Sequence, residues 1–251
     1  MRLSLTFAIV IMCGISSAAT ADEGMWTFDH FPSTKVSSAY GFKPSAAFLD
    51  HVRRASVRVD GACSGSFISP QGLVMTNHHC AIPCIDQLST PQKDVLDAGF
   101  YAQTMEDEAI CPGFELDQLI KIEDITAEIA RATRGKTGAV ADRALRAAEA
   151  IAEKSCGQNA AVRCDVVSFY HGGVYGRYHY KRYTDVRLAF APEFAIGEFG
   201  GDPDNYTFPR FTYDVALLRA YENGQPAATP DYLQWSASGS KAGDLVFTSG
   251  N

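Results

Sequence analysis

The residues best suited to chemistry cluster at Thr76-Asn77-His78-His79-Cys80, where the apolar run Leu73-Val74-Met75 ends. A histidine here suits general-base work. Its imidazole must accept a proton from a nucleophile and later hand it to a leaving group, so its position has to be fixed. The end of a strand, with a cysteine next in sequence to tie down, supplies that rigidity. The same stretch also reads as a metal set, because His78, His79, Cys80 and Cys84 carry the nitrogen and sulfur donors that zinc accepts. Cysteine usage weighs against the metal. Of seven cysteines, Cys13 falls in an apolar leader, which leaves Cys63, Cys80, Cys84, Cys111, Cys156 and Cys164. An even number in an exported chain is expected to form disulfides rather than thiolate ligands. Neither a metal nor a cofactor is therefore expected.

The histidine, the cysteine after it and the hairpin before it resemble the general-base region of chymotrypsin-like peptidases. That resemblance implies a partner for Cys80 about one hairpin earlier, at Cys63. It also implies an order in which the carboxylate follows the histidine and precedes the nucleophilic serine. Asp202, Asp204 and Asp214 are the candidates. The first two lie in a Gly/Pro-rich stretch, where Asp is common for turn reasons alone. Asp214 begins the apolar run Val215-Ala216-Leu217-Leu218, where a buried carboxylate needs a partner and an imidazole would serve. Asp214 is favoured. No serine here reads as a nucleophile. Ser64 and Ser66 belong to the hairpin, and Ser238 and Ser240 flank Gly239 in a polar loop. The remaining cysteines can pair in several ways; Cys84 with Cys111 and Cys156 with Cys164 is the working expectation.

The elements that must position these residues are mostly strands. An aromatic arm spans Trp26 to Pro32, and Ala46 to Ser56 reads as a short helix. Ser56 to Val59, Ser64 to Ser69 and Leu73 to Thr76 read as strands, the last two joined by the turn Pro70-Gln71-Gly72. The period changes from Ile122 to Ala152. Ile122, Ile125 and Ile129 recur at helical spacing, as do Val140, Ala144, Leu145, Ala148 and Ala152, with Gly135 and Gly138 between them. This predicts two helices inserted at about residues 122–155, with no chemistry of their own. Strands return at Val162 to Tyr170, Tyr175 to Tyr183, Val186 to Phe190 and Val215 to Leu218, and one more is expected to begin at Asp244 to Thr248. The expected class is mainly β with a helical insertion. A strand opening so near Asn251 reads as a chain cut in mid-fold.

The chain of 251 residues is 46% hydrophobic and 20% charged, with a net charge of −7 and no basic cluster, which argues against nucleic acid as a partner. Arg2, the uncharged run Leu3 to Ile15 and Ala19-Thr20-Ala21 form a secretory signal peptide over residues 1–21, with Asp22 as the mature N-terminus. The run is shorter than the roughly 20 apolar residues that span a bilayer, and no later stretch is long enough. An exported protein, periplasmic or secreted, is expected.

Over residues 22–251 the sequence resembles the bacterial serine dipeptidyl peptidases of the dipeptidyl-peptidase 7 and 11 type. The likeness rests on Asp22-Glu23-Gly24-Met25-Trp26, Gly65 to Pro70, Gly72-Leu73-Val74, Thr76 to Cys80, Gln87 to Thr90 and Cys111-Pro112-Gly113. It continues through Asp185 to Leu188, Phe190-Ala191-Pro192, Ile196-Gly197, Phe199 to Asp202, Asp204-Asn205 and Pro209-Arg210. The resemblance implies a chymotrypsin-like double β-barrel, of which this chain is the N-terminal part, with a large helical domain inserted later. It implies release of dipeptides from peptide N-termini, with His79 as general base and Asp214 its partner. Asn205 falls at the position that holds the substrate's α-amino group, and Tyr206 falls beside it where many members carry Trp. Before the aspartate, Phe211-Thr212-Tyr213 replaces the common His-Thr-Gly. The family's serine lies in a Gly-Asn-Ser-Gly-Ser-type segment past residue 251, so this chain alone is expected to be inactive. A homodimer of the full-length protein is also implied. The alternative reading is a non-catalytic secreted protein of peptidase type that binds peptides.

Overall fold

The computed structural model describes residues 25–156, 161–199 and 211–250. The expected signal peptide, Asp202, Asp204, Asn205 and Tyr206 lie outside those residues. Two short helices come first, α1 (Ser33–Tyr40) and α2 (Ala46–Ala55). Ser45 starts α2 by accepting the Phe48 N–H on its Oγ at 3.1 Å. Strands β1 (Ser56–Val59), β2 (Cys63–Phe67) and β3 (Leu73–Thr76) follow as consecutive hairpins. The β1–β2 connection is three residues, Asp60-Gly61-Ala62; Asp60 and Gly61 are left-handed, and the Ala62 N–H closes the turn on the Val59 carbonyl. The β2–β3 turn closes on Gly72, also left-handed, where a side chain would run into the Ala220 carbonyl.

Helix α3 (His78–Leu88) leaves β3 directly, and α4 (Val95–Ala98) follows it. Then come β4 (Phe100–Tyr101), β5 (Ala109–Ile110) and β6 (Leu116–Asp124), helices α5 (Thr126–Thr133) and α6 (Gly138–Lys154), β7 (Val162–Phe169), β8 (Val174–Tyr183) and β9 (Asp185–Ala191). The one-turn helix α7 (Phe194–Gly197) precedes β10 (Ala216–Glu222) and β11 (Gln225–Pro226). The eleven strands of the described residues form one antiparallel sheet in the order β4-β9-β10-β3-β2-β1-β6-β8-β7, with β5 added to β9 and β11 to β10.

This corrects the expected double β-barrel. Among the described residues no ladder joins β4 to β7, so the sheet is open, and the fold is mixed α/β rather than mainly β. Closure needs two edges to meet. Here β8 carries the sheet outward through β7, and helices α5 and α6 pack beside β7 and β8. Ile125, Ile129, Ala148, Ala152 and Tyr175 bury that helical face in a small core of their own. The main core lies elsewhere, around Val57, Phe67, Val74, Ile85, Leu116, Tyr183, Leu188 and Leu218.

Two local expectations also change. Ile122 is in β6 and pairs with Tyr178, so its helical spacing from Ile125 is incidental. The helix waits until Asp124 accepts the Thr126 N–H at 2.8 Å. Residues 244–248 form no strand. Phe247 instead meets the rings of Phe31, Phe42 and Phe48, at centroid distances of 5.9, 5.6 and 6.3 Å. Strand β8 carries aromatic or basic residues on both faces, and burial sorts them. Tyr175, Tyr178, Tyr180 and Tyr183 are buried, while Arg177 and His179 pair with Glu123 and Lys181 with Glu222.

Candidate active site

Sheet register builds the site. Strand β10 pairs with β3 so that Ala216 faces Thr76, which sets Asp214, two residues earlier, against the first turn of α3. There Asp214 Oδ2 accepts a hydrogen bond from His79 Nδ1 at 2.7 Å, and Oδ1 accepts the His79 backbone N–H at 3.0 Å. Asn77 Nδ2 adds bonds to Oδ2 at 3.0 Å and to the Asp214 carbonyl at 3.3 Å. The His79 side chain is 54% exposed and that of Asp214 21%, so the imidazole faces outward while its carboxylate partner is tucked behind it. With Nδ1–H donated to a carboxylate, the neutral ring carries its lone pair on Nε2, the form a general base requires.

Disulfides hold the base in place. Cys63 is bonded to Cys80, Cys84 to Cys111 and Cys156 to Cys164. The first anchors α3 to β2 one residue past His79, and the second anchors the next turn of the same helix. These bonds remove the thiolates from the His78, His79, Cys80 and Cys84 metal set. Another donor group gathers at the same place. His79, Glu198 and Asp214 bring a ring nitrogen and carboxylate oxygens within 4.8 Å of one another, a grouping that could hold a cation.

His78 turns the other way and is fully buried. Among the described residues neither of its ring nitrogens makes a hydrogen bond of ordinary geometry, although the Pro192 carbonyl is near enough to act on the ring. Burial pushes its pKa below the ordinary histidine value, with Asp214, Glu198 and the Pro192 carbonyl acting in the opposite sense. Its ring lies against Gly197 and 6.4 Å from the Phe194 ring. The segment leading to Asp214 is stitched to α7 as well. Thr212 Oγ1 donates toward the carbonyls of Ile196 and Gly197, and the Tyr213 N–H bonds to the Ile196 carbonyl.

The structure therefore brings His79 and Asp214 together. It adds Asn77 and Glu198, to which sequence reasoning assigned no role in the site, and His78, which it weighed only as a metal donor. Asn77 and His78 lay inside the quoted motif. Glu198 had one signal, as the single position that the matching block Ile196 to Asp202 steps over between Gly197 and Phe199.

The family model for peptidase S46 matches residues 21–251. The chain belongs to the peptidase S46 family. It is 35% identical to the Asp/Glu-specific dipeptidyl-peptidase of Shewanella putrefaciens, over 100% of this chain and 36% of that protein. It is 32% identical to dipeptidyl-peptidase 7 of Porphyromonas gingivalis, over 98% of this chain and 37% of that one. The crystal structure of Porphyromonas endodontalis DPP11 in complex with the dipeptide Arg-Glu superposes with a TM-score of 0.76 at 30% identity, covering 88% of this chain and 35% of that one. This S46 chain thus spans about a third of the length of these relatives. Among its described residues no helix is long and apolar enough to cross a membrane.

Proposed function

We propose that this chain supplies the general base and its carboxylate partner to an exported serine-type dipeptidyl peptidase. His79 is the base and Asp214 the group that orients it. The observation that carries the reading is the 2.7 Å bond from His79 Nδ1 to Asp214 Oδ2, made by an outward-facing imidazole in the first turn of a disulfide-anchored helix. Family membership supports it.

In this mechanism a serine hydroxyl brought against His79 Nε2 gives up its proton as its oxygen attacks the scissile carbonyl. The imidazolium formed is stabilised by Asp214 and returns the proton to the leaving amine. Water then repeats the cycle on the acyl-enzyme. No serine of this chain is assigned the nucleophile's role. The greater length of the relatives leaves room for it in further sequence. Asn205 and Tyr206 are proposed to hold the free α-amino group of the substrate. That grip would restrict cleavage to the second peptide bond and make the product a dipeptide.

The test is hydrolysis of dipeptidyl reporter substrates by the native protein, isolated from its source. Release from a free N-terminal dipeptide, with none from its N-acetylated counterpart, is expected. Equal cleavage of both would overturn the exopeptidase reading.

A further inference from the structure

We propose that Asn77 is a positioning residue that holds the Asp214 carboxylate in register with His79. Asparagine is among the best residues at the start of a helix, because its side-chain oxygen accepts an N–H of the first turn. Asn77 occupies that place on α3 and makes no such bond. The role has passed to another part of the chain. Asp214 Oδ1 accepts the His79 N–H, which belongs to the second residue of the helix, so the aspartate caps α3 from across the sheet. A carboxylate is also the charge a helix N-terminus favours.

Asn77 then grips the cap. Its amide faces Oδ2 at 3.0 Å and the Asp214 carbonyl at 3.3 Å. Both are acceptors, so only the NH2 end of the amide fits there. Oδ2 therefore lies between two donors, Asn77 Nδ2 and His79 Nδ1, and Oδ1 is held by a third. Three bonds fix the rotation of the carboxylate about its own axis. Without Asn77, the His79 N–H still tethers one oxygen, but among the described residues no other donor aims the second at Nδ1. Asn77 thereby keeps the neutral ring in the Nδ1–H form, with Nε2 open.

The catalytic meaning of this role rests on the proposed function, but the role itself is read without hydrolysis. The experiment is nitrogen-15 NMR of the histidine rings in the whole chain, giving the ratio of Nδ1–H to Nε2–H tautomers of His79. A bond to a charged acceptor is strong enough that its loss should lower this ratio about tenfold in Asn77→Ala. Asn77→Asp keeps the shape and the capping oxygen while losing the donors, and should lower it at least as far. A plain capping role would leave the ratio unmoved in the aspartate variant. A wild-type ratio in Asn77→Ala overturns the proposal, whatever the aspartate variant does, since like charge alone would then explain the latter. Should neither variant fold, the wild-type protein decides. The Asn77 side-chain nitrogen should show a through-hydrogen-bond scalar coupling to the Asp214 carboxyl carbon, and its absence overturns the proposal.

Discussion

Gly197 leaves no room for a side chain beside His78: a Cβ there would stand 2.7 Å from Nδ1 and 2.8 Å from Cγ of the ring. The contact joins the residue before His79 to α7, and α7 in turn holds Thr212 and Tyr213, which lead to Asp214. Gly197→Ala is expected to cost about 1–3 kcal/mol, the range for overpacking a filled site. Denaturant unfolding of the two proteins measures it. An unchanged midpoint would mean that the ring has space to yield.

The buried ring of His78 also makes stability depend on pH. Its folded pKa lies below the ordinary histidine value of 6.5, so between the two the unfolded chain binds the proton and the folded one does not. Stability is therefore expected to fall as pH drops below about 6.5, and His78→Gln should remove that part of the slope. Equal slopes for wild type and variant between pH 7.5 and 5, taken here as roughly the histidine titration range, would contradict it.

The Cys63–Cys80 bond closes a loop with a sequence separation of 17 and anchors α3 next to the base. Replacing both cysteines by serine is expected to lower stability by about 2–4 kcal/mol. Thermal unfolding measures that loss, and nitrogen-15 NMR of this double variant, beside a Cys156→Ser/Cys164→Ser variant, tests whether the bond near His79 matters more to the ring's tautomer. Only the first pair should disturb it.

Part of the site could be read from residue types. The apolar strand Leu73 to Thr76 running into His-His-Cys marked the place, the peptidase resemblance chose His79 there, and a position just before an apolar strand rather than in a Gly/Pro loop favoured Asp214. The β2–β3 turn was legible because Pro-Gln-Gly prefers the conformation required there. Sheet closure was not legible, because alternation along a strand tells which face is buried and nothing about which edges meet. Ile122 shows the same limit, since a spacing of three fits a helix whether or not a strand partner such as Tyr178 is present. The trans cap on α3 was hidden for a related reason. Asn77 has the right identity for a local cap, and only the β3–β10 register reveals that Asp214 displaces it.

A second pH dependence arises at the far end of the sheet. Hydrogen bonds from Lys121, His179 and Arg177 draw the Glu123 pKa down from 4.5 to about 2. For a carboxylate with a lowered folded pKa, the stabilisation is complete above the unfolded value and is lost as pH falls through the folded one. Glu123→Gln is thus expected to be less stable than wild type at pH 7, with the gap narrowing between about pH 4.5 and 2. A gap that stays constant over that window would show that Glu123 acts through packing alone.

The most direct test of the account is the rate of dipeptide release by the native protein carrying Asp214→Asn. With the partner amide holding the wrong tautomer of His79, kcat should fall by about 10⁴ while KM changes little, and His79→Ala should fall at least as far. Near wild-type turnover by either variant would contradict the assignment of His79 and Asp214 as base and partner.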